Sequence, residues 1–174
     1  MKVGLTILGI GILVIGLAKM GASTSAGQTT ASPIRSSSAL TESAGTVNIE
    51  QNNLDLGDIP IGGGTVNATF YFTNTGDEPI VLTSGKTSCM CTEAVVTTAD
   101  GAVSPKILMQ GHGSSGVLDM VVASGERASV VATFDPMAHG PNALGPITRD
   151  VILATNSKTH PDVRFTFRGN VVKE

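Results

Sequence analysis

The chain has 174 residues, which is enough for one ordinary domain with additional segments but not for two full domains. Aromatic residues make up 3% of the sequence and charged residues 14%, and the formal net charge is −3. Because the chain has no excess of Lys and Arg to contact phosphates, its composition argues against nucleic-acid binding.

The first 20 residues have the composition of a membrane-targeting segment. The run from Val3 to Ala18 is apolar with one exception, and Lys2 and Lys19 flank it. At 1.5 Å per residue this run is about 24 Å long, and flanking lysines that reach the interface can make up the difference to a hydrocarbon core of ~30 Å. We therefore expect a retained anchor over residues 3–18. Cleavage as a signal peptide, near the small residues 24–26, is the alternative.

A linker follows over residues 21–45. It consists mostly of Ser, Thr, Ala and Gly, and it has too few apolar side chains to offset the entropy lost on ordering. As a flexible coil it would hold the following domain about 25–30 Å from the membrane. We thus expect an anchor or signal segment (1–20), a linker (21–45) and a domain (46–174) outside the cytoplasm, in the periplasm or at the cell surface. If the amino terminus is cleaved, the domain is secreted.

The remaining apolar segments have the pattern of β-strands. In residues 65–72 every second residue is apolar, so one face of the strand is apolar. The same alternation recurs in residues 130–134 and 163–171, and clusters of Gly, Pro, Asn and Asp separate the apolar runs. The pattern predicts an all-β sandwich of about seven strands. Its predicted core includes Phe70, Phe72, Phe134, Phe165 and Phe167.

Residues 99–123 contain two further apolar runs. Lys106–Gln110 and Val117–Val122 are apolar runs on either side of the glycine-rich stretch Gly111–Gly116. We expect the two runs to form a hairpin. The glycine-rich stretch also fits G-x-G-x-x-G, but a dinucleotide site needs a helix to begin there, and a strand pattern follows instead.

Three short segments carry a family resemblance. They are LDLGDI at Leu54–Ile59, FYFTNTGDEPI at Phe70–Ile80 and SCMCT at Ser88–Thr92. With them, residues 46–174 resemble the bacterial domain-of-unknown-function family 1573. The resemblance implies an immunoglobulin-like sandwich, usually found in exported or envelope-anchored proteins, and it implies no activity because the family has none firmly assigned. Met90 stands where the family has a glycine between its two cysteines. Relative to the family pattern, residues 99–123 look like an insertion, and we call this segment the insertion.

Cys89 and Cys91 are the only cysteines in the sequence and its sharpest chemical feature. Side chains two apart in a strand face the same way, so both sulfurs could meet one ligand. A disulfide between them would close a small strained ring, and a strained bond is easily reduced. Three interpretations stay open: structural residues at a strand end, a metal site, or a redox pair.

The metal interpretation gains support from neighbouring methionines and histidines. One methionine lies between the cysteines, and two others precede a histidine by two or three residues. Thiolate, thioether and imidazole together form the ligand set that selects copper(I). The predicted metal ligands are Cys89 and Cys91, with weaker candidates at Met90, His112 and His139.

No set of catalytic groups can be assembled from the sequence. The acidic residues are scattered over turns, and no pair of them lies in an apolar strand context that would raise a carboxyl pKa. We therefore expect a protein that is not an enzyme: a membrane-tethered, monomeric binding or scaffolding module of the cell envelope, whose partner is an envelope protein or a glycan. The alternative function is soft-metal (copper) binding or redox chemistry at Cys89 and Cys91.

Overall fold

A computed structural model describes residues 41–113 and 116–173, and the predicted anchor and most of the predicted linker lie outside them. These residues form nine β-strands. The strands are β1 (Val47–Ile49), β2 (Asn53–Pro60), β3 (Val66–Asn74), β4 (Ile80–Thr87), β5 (Thr92–Thr97), β6 (Val117–Val122), β7 (Arg127–Phe134), β8 (Gly145–Thr155) and β9 (Asp162–Val172). The described ranges include no apolar helix with the length that a bilayer crossing requires.

The strands form two sheets. One sheet has four antiparallel strands in the order β1-β3-β7-β5. The other has five strands in the order β2-β9-β8-β4-β6, and only its β2–β9 pair is parallel. Phenylalanine rings from the two sheets meet between them: Phe70 of β3 and Phe165 of β9 have centroids 5.2 Å apart, and Phe134 and Phe167 have centroids 6.0 Å apart. The predicted all-β, two-sheet sandwich is confirmed.

The phenylalanine core is also as predicted. All five predicted core phenylalanines are at most 3% exposed. Along β3, Ala68, Phe70 and Phe72 are buried, whereas Thr69 is exposed and Tyr71 is half-buried on the other face. The two-residue alternation in the sequence therefore assigned the inner and outer faces of this strand correctly.

The count of nine strands in the described residues agrees with about seven strands plus two apolar runs in the insertion. The run Val117–Val122 forms β6 as a strand at an edge of the five-stranded sheet, and Val47–Ile49 forms the short edge strand β1.

The predicted hairpin in the insertion is wrong. β6 pairs with β4 in the five-stranded sheet, whereas residues 103–109 make isolated bridges to other strands, Val103 to Thr97 and Ile107 to Ala94 of β5. Ile107 is 0% exposed and lies against Gly85 of β4. Glycine has no side chain, and a Cβ atom at position 85 would lie only 3.0 Å from Ile107 Cδ1. Residues 103–107 therefore lie on β5 and not on β6, with the Ile107 side chain buried against Gly85.

Residues 41–45, at the end of the predicted linker, contact the sandwich. Ser43 is 4% exposed, and its backbone N–H donates to Asn156 O (2.8 Å) while its carbonyl accepts from Lys158 N (3.0 Å). Its hydroxyl donates to Pro79 O (2.7 Å). These bonds place residues 43–45 beside the loop that connects β8 and β9.

Candidate functional site

Cys89 and Cys91 lie in the four-residue connection between β4 and β5. Since β4 belongs to the five-stranded sheet and β5 to the four-stranded sheet, the chain changes sheets within Ser88–Cys91. The Thr92 N–H donates to Cys89 O (3.1 Å), which closes a turn. The sequence pattern predicted that the two cysteines lie side by side on one face of a strand, and this prediction is wrong. They lie in a turn, because a connection of four residues between two sheets requires one.

The two cysteine sulfurs are joined in a disulfide. The Cα atoms of Cys89 and Cys91 are 5.2 Å apart, which is within the usual range for bridged cysteines. In an extended strand the same atoms would lie about 6.6 Å apart. The turn therefore brings the two Cα atoms closer together than an extended strand would. Cys91 is 3% exposed and Cys89 is half-buried.

His139 reaches the same turn from the connection between β7 and β8. Its Nε2 lies 3.3 Å from Cys89 Sγ, and the ring is exposed. The connection begins beside the cysteines, because the end of β7 pairs with the start of β5 and the Asp135 N–H donates to Cys91 O (2.9 Å). The Asp135 carboxylate accepts from the Met137 N–H (2.8 Å) and turns the chain toward Cys89.

Arg149 of β8 is the residue of this site that the sequence analysis missed. Its Nε donates to Cys91 Sγ (3.0 Å) and its Nη1 to Thr148 O (2.8 Å). The pairing of β4 with β8 continues into the turn through two hydrogen bonds between Ser88 and Asp150, which brings Arg149 next to Cys91. Arg149 shares the parity of the buried residues Val151 and Leu153.

The guanidinium of Arg149 is a partly desolvated cation. Burial lowers the pKa of Arg149 below its usual value. Its Cζ lies 5.8 Å from the centroid of the Phe134 ring. The ion pairs found among the described residues join other side chains, and none of them involves Arg149. The Arg149 cation therefore lies beside the disulfide and has no ion-pair partner among the described residues.

The structure brings three of the five predicted metal ligands together. The potential ligand atoms of Cys89, Cys91 and His139 all lie within 4.8 Å of one another. Met90, at the tip of the turn, is 53% exposed. His112 is exposed and lies at the far end of residues 106–112, where its N–H donates to Met109 O (3.0 Å), and it is not part of the three-residue group.

The comparison with protein families agrees with the resemblance seen in the sequence. Residues 47–106 match the family described as a protein of unknown function, DUF1573. This match confirms the suspected family over the segment that contains β3, β4 and both cysteines. No curated protein matches the sequence.

Solved structures with a similar fold are distant in sequence. A protein of unknown function from Porphyromonas gingivalis W83 has a TM-score of 0.53 and 17% identity, over 76% of this chain and 48% of that one. A family 123 glycoside hydrolase from Clostridium perfringens has a TM-score of 0.50 and 9% identity, over 76% and 28% of the two chains. The PapD-like domain 7 of human CEP192 has a TM-score of 0.43 and 17% identity, over 77% and 91%.

These similarities concern the fold alone. The present chain spans about half the length of the Porphyromonas protein, 48%, and about a quarter of the glycoside hydrolase, 28%. One sandwich architecture carries many unrelated functions, and the residues of the site determine which function a given protein has.

Proposed function

We propose that the chain is a membrane-tethered, immunoglobulin-like binding module of the cell envelope and that its reduced form binds one copper(I) ion at Cys89, Cys91 and His139. The observation that carries the metal site is the convergence of three ligand atoms within 4.8 Å. In this structure the two sulfurs are joined in a disulfide, and His139 Nε2 lies 3.3 Å from Cys89 Sγ. After reduction the sulfurs can separate, and two thiolates on one ion, with bonds of about 2.3 Å as in zinc sites, lie at most about 4.6 Å apart. The apolar run at residues 3–18 and the linker after it support the tether and a location outside the cytoplasm.

Reduction must precede metal binding at this site, because the thiolate and not the disulfide is the metal ligand. A copper(I) ion with two thiolates carries one net negative charge. Arg149, whose Nε lies 3.0 Å from Cys91 Sγ, is placed to offset that charge. Two thiolates and an imidazole favour copper(I) over hard ions such as magnesium and calcium, which prefer oxygen ligands.

The ion has a direct route from solvent to this site. His139 is exposed, and Met90 and Met137 are 53% and 43% exposed on the turn and on the loop that approach each other here. Both methionines offer thioether sulfurs at the surface near the site, where a soft ion arrives. The ion would therefore meet His139 and the half-buried Cys89 first, and the buried Cys91 last.

A titration of the reduced, full-length protein with copper(I) against a competing chelator tests the site. We expect one ion per chain and complete loss of this binding in the variant with both Cys89→Ser and Cys91→Ser. The His139→Ala variant should bind at least about tenfold more weakly, since it loses one of three ligands. His112→Ala is the matched control, an exposed histidine outside the group, and should bind like the wild type. Equal binding by the wild type and the double cysteine variant would refute the copper site.

A scaffolding role through a sheet edge is the second candidate, and β6 is the observation that favours it. β6 is one of the two edge strands of the five-stranded sheet, and Val121 is 46% exposed there. Strands of a partner protein commonly add to such an edge. A photo-cross-linker at residue 121 should then capture an envelope protein that one at the exposed Val103 does not capture. The same capture from both positions would count against β6.

A further inference from the structure

We propose that Cys89 and Cys91 form a thiol–disulfide exchange site with a fixed direction, in which an incoming dithiol attacks Cys89 and Cys91 departs as a thiolate paired with Arg149. The two sulfurs differ in exposure and in their charged neighbours, and these differences set the direction. The proposal involves the same two cysteines as the copper site, but it requires no metal.

Access to the disulfide favours attack on Cys89. Cys89 is half-buried and lies beside the exposed ring of His139, 3.3 Å from Nε2, whereas Cys91 is 3% exposed. The backbone around Cys91 is also enclosed, since Cys91 O accepts from Asp135 N and Thr92 continues directly into β5. The rate of exchange depends on which sulfur the incoming thiolate can reach, and here that sulfur is Cys89 Sγ.

The surroundings of Cys91 favour its departure as a thiolate. Arg149 Nε lies 3.0 Å from Cys91 Sγ, and Thr92 Oγ1 lies 3.7 Å away as a second polar neighbour. The hydrogen bond from Arg149 Nη1 to Thr148 O (2.8 Å) holds the guanidinium in this position. A thiolate at Cys91 would give the partly desolvated cation a counterion and would gain a charge-assisted hydrogen bond. A thiol stabilised as its thiolate is a better leaving group.

The reaction balances as a two-electron exchange with a dithiol. A thiolate of the dithiol attacks Cys89 Sγ, the bond between Cys89 and Cys91 breaks, and its electron pair goes to Cys91 Sγ. In the resulting mixed disulfide, the first sulfur of the dithiol is bonded to Cys89 Sγ. The second thiolate of the same dithiol attacks that first sulfur and displaces Cys89 as a thiolate. The dithiol is oxidised to a disulfide, the protein pair is reduced, and the two protons of the dithiol pass through solvent to the cysteines.

Single-cysteine variants of the full-length protein test the direction. In a chelating buffer without metal, the Cys91→Ser variant, which keeps Cys89, should form a mixed disulfide with a chromogenic aromatic disulfide. We expect it to react at least about tenfold faster than the Cys89→Ser variant, which keeps the buried Cys91. Equal rates, or a faster reaction at Cys91, would overturn the proposal.

Arg149 variants test the leaving group. We expect Arg149→Gln to slow the reduction of the wild-type disulfide by dithiothreitol about tenfold, and Arg149→Lys to restore part of the rate because it keeps the positive charge. Arg127→Gln is the control, because Arg127 pairs with Glu50 away from the cysteines.

The outcomes separate a defect of the site from a defect of the fold, and this proposal from the copper proposal. Circular dichroism shows whether each variant keeps its β-structure. If folded Arg149→Gln and Arg149→Lys are reduced at the wild-type rate, the assignment of Arg149 is wrong. Thiol–disulfide exchange is measured without metal, so its result is independent of copper binding. A protein that binds no copper can still exchange at Cys89, and a protein that binds copper can lack this exchange.

Discussion

Two adjacent side chains of β3 illustrate what single residues contribute to the fold. Phe70 is 1% exposed, and its ring lies 5.2 Å from that of Phe165 in the opposite sheet. Tyr71 points to the outer face, where the guanidinium of Arg127 lies 3.7 Å from the centre of its ring. The two rings are similar in size, but only Phe70 fills space between the sheets.

Replacement of these two residues should therefore have unequal effects. Phe70→Ala leaves a cavity in the core and should lower the free energy of unfolding by about 3–5 kcal/mol. Tyr71→Ala removes a half-buried ring from the outer face and should cost much less. Urea denaturation of the two variants, followed by circular dichroism, measures both changes. Equal losses of stability would contradict the assignment of faces in β3.

The residues of the candidate site differ in how far the sequence could reveal them. The spacing of Cys89 and Cys91 is visible in the sequence, and His139 could be suggested because histidine is a common ligand. Arg149 could not, although it lies at an inward-facing position two residues before Val151. Its contact with Cys91 depends on the pairing of β8 with β4, and no local pattern specifies which strands pair.

At the scale of elements, the long alternating strands were predictable and the insertion was not. β3, β7 and β9 each have one face in the core, so the alternation of their residues reports their conformation directly. In residues 106–122 two apolar runs flank a glycine-rich loop. That pattern does not tell whether the runs pair with each other or with different strands. Here β6 joins β4, and Ile107 occupies the space that Gly85 leaves.

Ile107 should therefore hold the insertion on the sandwich. Ile107→Ala removes a side chain that is 0% exposed and should lower the free energy of unfolding by about 2–5 kcal/mol. It should also speed amide hydrogen exchange in residues 103–109, because the bridges to β5 lose their anchor. Val103→Ala is the matched control, since Val103 lies in the same segment and is 62% exposed. If both variants lose the same stability, the insertion is not anchored through Ile107.

At the scale of the whole molecule, the candidate site lies where connections from both sheets meet. The β4–β5 connection supplies the cysteines, the β7–β8 connection supplies His139, and the first residues of β8 supply Arg149. The positions of these residues in the sequence range from 89 to 149, so only the completed sandwich brings them together. This explains why the sandwich could be inferred from local patterns while the full set of residues at the site could not.

The amino-terminal boundary of the sandwich provides a last prediction at this scale. Ser43 makes backbone hydrogen bonds to Asn156 and Lys158, and its hydroxyl donates to Pro79 O. The hydroxyl of Ser157 donates to Gly45 O (2.6 Å), and both Ser43 and Ser157 are buried. A protein that starts at residue 46 lacks these partners and should unfold with a free energy about 2–4 kcal/mol lower than one that starts at residue 41, at about 1 kcal/mol for each lost bond.

Urea denaturation of the two proteins measures this difference, and Ser43→Ala in the longer protein separates its sources. That variant keeps the backbone bonds of residue 43 and loses its hydroxyl, which donates to Pro79 O and accepts from the Gly45 N–H, so it should cost about 1–2 kcal/mol. A tether that merely leads to the sandwich would add nothing to stability. Identical urea midpoints for the proteins that start at residues 41 and 46 would therefore show that residues 41–45 belong to the linker. A lower midpoint for the shorter protein places the start of the folded domain before residue 46, and a lower midpoint for Ser43→Ala extends it to Ser43.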